Sequence, residues 1–439
     1  MSRKIHKGIT KPTAGTVTRR RFVQTAGGAA AVALAPAVFT TRKAYAAGRP
    51  LKIGYVSPKT GPLAPFAEAD DYVVGQIRKL VAGGISVGGI QHPVEIIVKD
   101  SQSNPNRCAE VASELILKDK VDLITAAAAP ETTNPVADQA EINEVPCVTT
   151  DCPWQPYFFG RGGNPKSGFD WTYHFFWGLE DVIAVFHNLW GSLDTNKVLG
   201  ALWPNDADGN AWGDKKFGFP PAFQKAGIKW VDPGRYQPLS DDFSAQISAF
   251  KKAGAEIVSG NMIPPDFTTF WSQAAQQGFK PKAVTIGKAL LFPSAVEAQG
   301  DRGVGLSSEV WWSPHHPVKS GLNGMSARRM VNDFEAKTGK QWTQPLGFRH
   351  ALFEVALDVL KRAKDVNSPA AIRDSIAATN YQSIVGPVNW GKGPVRNVTK
   401  TPLVGGQWVK GKRHKYDLQV VNNQTAPNIP IQGTFKPIA

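Results

Sequence analysis

Apolar and polar positions along the chain follow two rhythms, and their order of succession predicts the architecture. An apolar run, Leu51-Lys52-Ile53-Gly54-Tyr55-Val56, leads into the turn-forming Ser57-Pro58-Lys59-Thr60-Gly61-Pro62. Tyr72, Val73, Ile77, Leu80 and Val81 then recur at helical three- and four-residue spacing, until Gly83-Gly84 ends the pattern. The same succession predicts strands at 94–98, 121–125 and 146–149, with helices over 109–117 and 135–142. It resumes after residue 195, with strands at 197–203, 228–231, 256–259 and 283–286 and helices over 215–226, 243–253 and 267–277. Short strands alternating with longer helices mean βαβ units and parallel sheets. Two such runs, neither with the glycine fingerprint of a dinucleotide site, predict an α/β protein of two Rossmann-like lobes.

Charge changes the picture only at the amino end. The 439-residue chain is long enough for two cores, and its formal charge of +14 looks at first like a nucleic-acid signature. Nine of those charges lie in residues 1–46, which hold no acid, and the remaining +5 is spread over the rest of the chain. That is a solvated surface, and no nucleic-acid partner is expected. Arg19 and Arg20, followed by Arg21-Phe22-Val23, resemble a twin-arginine export motif. A weakly apolar Ala/Gly-rich stretch follows, then Ala44-Tyr45-Ala46 as a small-residue cleavage site. Residues 1–46 are therefore expected to be a signal peptide cut after Ala46, with the twin-arginine machinery as export partner and the periplasm as destination. A disordered basic tail is the competing reading. No later apolar run is long enough to span a bilayer. Of the three cysteines, Cys147 and Cys152 are close in sequence and Cys108 stands apart, so at most one disulfide can form.

Five stretches resemble the periplasmic binding proteins of branched-chain amino acid type. They are Ile53-Gly54 through Ser57-Pro58-Lys59-Thr60-Gly61-Pro62, Gly83-Gly84-Ile85 through Pro93-Val94-Glu95, Asp100-Ser101-Gln102-Ser103-Asn104-Pro105, Asp241-Asp242-Phe243-Ser244, and Gln407-Trp408. Their order and spacing are kept from about residue 50 to about 410. The resemblance implies the type I periplasmic binding fold, with two lobes joined by a hinge. Lobe 1 would comprise 50–173 plus 313–385, and lobe 2 would comprise 178–309 plus 386–430. It also implies a small organic solute as ligand, an ABC transporter permease as partner and no cofactor.

In an open parallel sheet ligands bind beyond the carboxyl ends of the strands. Those ends nominate Phe66, Ala129, Pro130, Thr132, Asp151, Cys152, Trp154, Trp212, Asn261, Met262 and Lys288. In the resembled amino-acid binders, hydroxyls after the third and fourth strands hold the ligand carboxylate and a Glu of the second lobe holds its ammonium. This chain departs there: Pro130-Glu131-Thr132 and Asp151-Cys152-Pro153 stand at the first two places, and Gly287-Lys288-Ala289 at the third. The departure disfavours a plain α-amino acid, and Lys288 is expected to favour an organic acid, aromatic if Trp212 and Phe66 sandwich it. Trp212 has lobe-core packing as its alternative, Trp154 core or hinge packing, and Lys288 a surface position.

An enzyme is the principal rival from another class, with Cys147 or Cys152 as nucleophile and a histidine as base. A small buried thiol explains either cysteine more simply, and neither a Walker A sequence nor His-Glu-x-x-His occurs. No metal site is expected: His315-His316 reads as a Pro-flanked loop. Asp206-Ala207-Asp208-Gly209-Asn210, which superficially resembles a calcium loop, reads as a turn at the cleft mouth. A sensor that binds the same ligand and signals to a receptor is a third reading.

Overall fold

The computed structural model describes residues 48–438; the expected leader, with Arg19, Arg20, Ala44 and Ala46, lies outside them. In chain order the strands of the first half are β1 (Leu51–Ser57), β2 (Ile85–Val87), β3 (Ile90–His92), β4 (Val94–Asp100), β5 (Leu123–Ala127), β6 (Cys147–Thr150) and β7 (Thr172–Phe175). There follow β8 (Val198–Pro204), β9 (Lys229–Val231), β10 (Arg235–Tyr236), β11 (Ile257–Met262), β12 (Ala283–Lys288) and β13 (Ser307–Val310). The last are β14 (Asn380–Ser383), β15 (Gly386–Asn389), β16 (Val398–Thr399), β17 (Val404–Lys410) and β18 (Tyr416–Asn422).

Two large sheets result. The first, in the order β16-β7-β6-β5-β1-β4, is parallel throughout. The second runs β10-β8-β11-β12-β13-β17-β18 with β9 also on β8, and only β17, antiparallel to both β13 and β18, runs against the rest. The central strands β5, β11 and β12 are buried at every residue, as parallel strands covered by helices on both faces must be. In each sheet the order reverses beside its first strand, between β1 and β5 and between β8 and β11. These are the switch points where the helices depart to opposite faces and leave a crevice.

The chain passes between the sheets three times, at Phe176–Gly178, at Trp311–Ser313 and after Thr399. The first two passages fall where the aromatic runs Tyr173–Trp177 and Trp311-Trp312 stand, and Trp312 is wholly buried with its indole donating to the Ile384 carbonyl at 3.0 Å. The third corrects the expected lobe boundary at residue 386. Residues 386–399 remain with the first sheet, because β16 pairs with β7 and Val398 is fully buried in that core. His174 N–H donates to Asn397 O at 2.8 Å and Phe176 N–H to Thr399 O at 3.1 Å. Lys400, just beyond, bridges Glu180 and Asp181, in the first turn of the helix Leu179–Gly191 that follows the first passage, at 2.7 Å each.

Local chemistry explains where helix ends differ from the pattern. The helix expected at 135–142 is Ala129–Ile142: Pro130 occupies its first turn, and Pro135 lies inside it. The helix expected from residue 215 starts at Phe219, because the Asp214 carboxylate holds the N–H groups of Lys216 and Phe217 in a preceding turn. All three cysteines are buried and free. Among the described residues no helix is long and apolar enough to cross a membrane, and no group of His, Cys, Asp and Glu could hold a metal.

Asn104 caps the helix Pro105–Ser113 by accepting from the N–H groups of Asn106 and Arg107 at 2.9 and 3.0 Å. Asn104→Ala is expected to lower stability by about 1 kcal/mol, read from the shift of a urea unfolding midpoint at unchanged slope.

Candidate functional site

The carboxyl ends of both sheets converge on one cavity of about 30 Å³. It is lined from the first sheet by Phe66 after β1, Ala129 after β5 and Asp151 after β6, and from the second by Trp212, Asn261, Lys288 and Glu309. Phe176, Trp177 and Trp311, from the passages between the sheets, close the side next to those passages. About one water fills that volume, so a solute can enter only if the halves part. The halves touch through Phe66 and Phe292, whose rings meet edge to face at 4.8 Å. Backbone strain gathers here. Ala128, Ala129, Asp151 and Lys288 all have positive φ, of 83°, 54°, 67° and 67°, in a region that costs non-glycine residues free energy and clusters at ligand sites. Gly287 is required beside them, since a Cβ there would lie 2.7 Å from the Trp212 indole.

Two buried cations organise the walls. Arg349, from the helix Pro345–Arg362, is completely buried and donates to Asp70 at 3.2 Å, to Asp151 and to the Phe66 carbonyl at 3.0 Å. Tyr55 completes the group by donating to Asp70 at 3.0 Å. Burial raises the Asp151 carboxyl to about 6 even though Arg349 opposes the shift. Lys288 is also buried. Its ammonium lies 2.8 Å from Asp208, 3.5 Å from Asp206 and 3.6 Å from Glu131. Burial works against its charge, but Asp206, Asp208 and Glu131 outweigh it and hold the lysine protonated. Burial likewise lifts Glu131 to about 7, with Lys288 opposing the shift and Asp206 and Asp208 adding to it. Glu309 is lifted by burial to about 7; it accepts from Ser308 Oγ at 2.7 Å and from the Lys288 N–H at 3.4 Å.

Of the nominated residues, Phe66, Ala129, Asp151, Trp212, Asn261 and Lys288 line this cavity; the other five do not. Pro130 and Thr132 are buried in the helix Ala129–Ile142, where the Thr132 hydroxyl donates back to the Ala128 carbonyl. Cys152 packs into the first core, 4.0 Å from His174 Nε2, and Met262 into the main core. Trp154 lines a separate apolar cavity with Phe159, Ile183 and Phe217, and its indole donates to Glu180 at 3.2 Å.

Two expectations are corrected. Lys288 is neither a surface lysine nor free to receive an anion, because three carboxylates already surround it. Asp206–Asn210 is not a bare turn: Asp206 caps the helix Ala207–Trp212 by accepting from Gly209 N–H at 2.7 Å, which carries Asp208 into the site. Glu131, Asp208, Glu309 and Arg349 were not among the nominated residues. The acid spacing Asp206-x-Asp208 before a short apolar turn could have signalled a helix start. Arg349 carries no such sign, since its partners are about 200 and 280 positions away. The string Gly84-Ile85-Ser86-Val87-Gly88 has the spacing of a nucleophile elbow, but it forms the β2–β3 hairpin with Ser86 exposed, not a strand-to-helix turn.

A family model described as periplasmic binding protein matches residues 50–413. Among solved structures, a leucine-binding protein from Thermotoga maritima is similar at 22% identity and a TM-score of 0.69, over 85% of this chain and 99% of that one. A branched-chain amino acid transporter substrate-binding protein from Streptococcus pneumoniae, in complex with isoleucine, is 18% identical with a TM-score of 0.66, over 85% and 99%. An ABC-transporter solute-binding protein from Rhodopseudomonas palustris, in complex with 3,4-dihydroxybenzoic acid, is 19% identical with a TM-score of 0.66, over 84% and 95%. The two-sheet fold described above is the one these proteins share.

Glu309 keeps its proton to about pH 7 in the folded chain, whereas an exposed glutamate loses it near about 4.3. The folded state binds the extra proton between those values. Its stabilising contribution is therefore complete below the unfolded value and lost as pH rises through about 7. Glu309→Gln has no proton to lose, so wild-type stability relative to this variant should fall by about 1–3 kcal/mol between about pH 5 and about pH 8, as urea melts at the two pH values will read.

Proposed function

We propose that this chain, which belongs to the periplasmic binding protein family, is the solute-binding component of an ABC importer. Proteins of this family are extracytoplasmic solute-binding proteins rather than enzymes. On our reading the chain takes up a small organic solute between its two sheets, closes by bending at the three passages, and presents the closed form to a membrane permease.

The observation that carries this reading is the convergence of strand ends from both sheets on one cavity, walled by groups from both halves. Neither half alone can enclose a ligand, so binding and closure are one event. Closure replaces water with fixed polar groups in a region of low dielectric, where a few contacts set affinity. The isoleucine and 3,4-dihydroxybenzoic acid of the similar structures belong to those proteins. For this chain the solute is defined by its own walls. The basic leader supports export by the twin-arginine route to the periplasm, with cleavage after Ala46.

Two tests follow. Native mass spectrometry of the exported protein should show one solute per chain, released unchanged. Asn261→Ala should weaken its binding about tenfold, because Asn261 is a buried wall residue whose side-chain oxygen has no partner within the protein. Release of a chemically altered product would refute the carrier reading. Replacing Arg19 and Arg20 by lysines should leave uncleaved precursor in the cytoplasm, seen by immunoblot of fractionated cells; unchanged export would exclude the twin-arginine route.

A further inference from the structure

The charges around the cavity narrow the class of solute, an inference that rests on the carrier reading above. Neither buried cation of the walls is free to receive a carboxylate. Arg349 is committed to Asp70, Asp151 and the Phe66 carbonyl, and Lys288 to Asp206, Asp208 and Glu131. The positive helix ends are committed too. The helix Ala129–Ile142 carries Glu131 in its first turn, and Ala207–Trp212 is capped by Asp206 and carries Asp208. The hydroxyl of Thr132, near the first of these ends, donates to the chain's own backbone, and neither it nor the neighbouring hydroxyl of Thr133 lines the cavity.

With Glu309 counted, six carboxylates stand against two cations at this site. If Glu131 and Glu309 are both protonated, the carboxylates still outnumber the cations. An entering carboxylate would meet net negative charge inside a low-dielectric cleft, where such repulsion is screened least.

Buried polar atoms without a partner within the protein say what is wanted instead. Among residues that line the cavity, the acceptors are Asp151 Oδ1, Asp208 Oδ1 and Asn261 Oδ1, and the donors are the indole N–H groups of Trp177, Trp212 and Trp311. All six residues are more than nine-tenths buried. Three anionic or amide oxygens call for a nitrogen rich in N–H donors, and the aromatic walls of Phe66, Phe176 and the three tryptophans suit a cation over their faces. Three indole donors call for an oxygen acceptor, which a neutral hydroxyl or carbonyl supplies without adding negative charge.

From this arrangement we infer that the solute is a small organic cation, an ammonium or amidinium compound that carries an uncharged oxygen in place of a carboxylate. The nitrogen sits among Glu131, Asp208 and Asp151, and the oxygen faces the indole N–H groups. Lys288 holds the same carboxylates in place between the halves and yields part of that contact when the solute cation enters.

The test uses two sets of probes matched in body and differing in charge: tyramine, 4-hydroxyphenylacetate and tyrosine; leucinol, 4-methylvalerate and leucine. Tryptophan fluorescence titration of the full mature chain should give the amine of each set an affinity at least about tenfold above that of its carboxylate partner, with the zwitterion between them. Glu131→Gln, which keeps the size of the side chain and removes its charge, should cut that preference about tenfold while leaving the circular dichroism spectrum unchanged. A carboxylate or zwitterion that binds as tightly as its amine, or a preference untouched by Glu131→Gln, overturns the assignment. Saturation of one site per chain by the carboxylate or zwitterion at an affinity equal to or above that of its amine would leave the carrier reading standing and remove only the cation assignment. No saturable binding by any of the six, with no solute co-purifying, would remove both.

Discussion

Arg349 is the constraint from which the first half of the cleft is built. A fully buried guanidinium is tolerable only if its charge and donors are met, and here Asp70, Asp151 and the Phe66 carbonyl meet them. Those partners come from three places: the helix Asp70–Leu80 after β1, the short turn Ala64–Ala67 between β1 and that helix, and the loop after β6. One side chain therefore fixes the relative positions of three loops that form the wall. The planar fork sets directions as well as distances, which a lysine could not do. Because Asp151 is held in a strained backbone conformation at φ 67°, the ion pair also stabilises a geometry that the chain alone would leave.

Lys288 does the corresponding work for the second half, with one difference. Asp206 and Asp208 belong to its own half, but Glu131 belongs to the first, so the lysine contributes to holding the cleft shut. That contact is longer than the others, and neither Glu131 oxygen has a hydrogen-bond partner. On the carrier reading proposed above, this contact serves as a weak latch. A strong contact between halves would hold the closed form without a ligand, and no contact would leave all the ordering for the solute to drive. The edge-to-face pair of Phe66 and Phe292 adds apolar contact of the same modest kind.

The alternation of strand and helix was readable over 51–149 and 197–286, because buried parallel strands leave runs that polar surface helices interrupt, whereas β7, β13 and the helices Leu179–Gly191, Ala327–Thr338 and Pro345–Arg362 were not foreseen. The strand ends were readable too, so six nominated residues fall on the cavity wall. What sequence could not provide was direction. Thr132 and Cys152 stand at the right strand ends but face the helix backbone and the first core, a matter of a single residue's rotation. The third passage was misplaced because the hairpin β14–β15 and the two-residue strand β16 are too short to show a period. Arg349 was invisible for a different reason: its meaning lies wholly in partners distant along the chain.

The fold and the chemistry of the site therefore answer to different constraints. The sheets, their switch points and the three passages are kept at 22% identity or less to the similar structures named above, since they depend on periodic burial that many sequences satisfy. On the carrier reading they decide where a solute sits. Which solute depends on the few polar atoms that the strand ends deliver, and there a single exchange reverses the demand. A carboxylate in the first turn of a helix takes the position that the helix end would otherwise offer to an anion. Glu131 and Asp208 do this on both sides of the cleft, so a scaffold whose helix ends favour anions presents, in this chain, an acidic face.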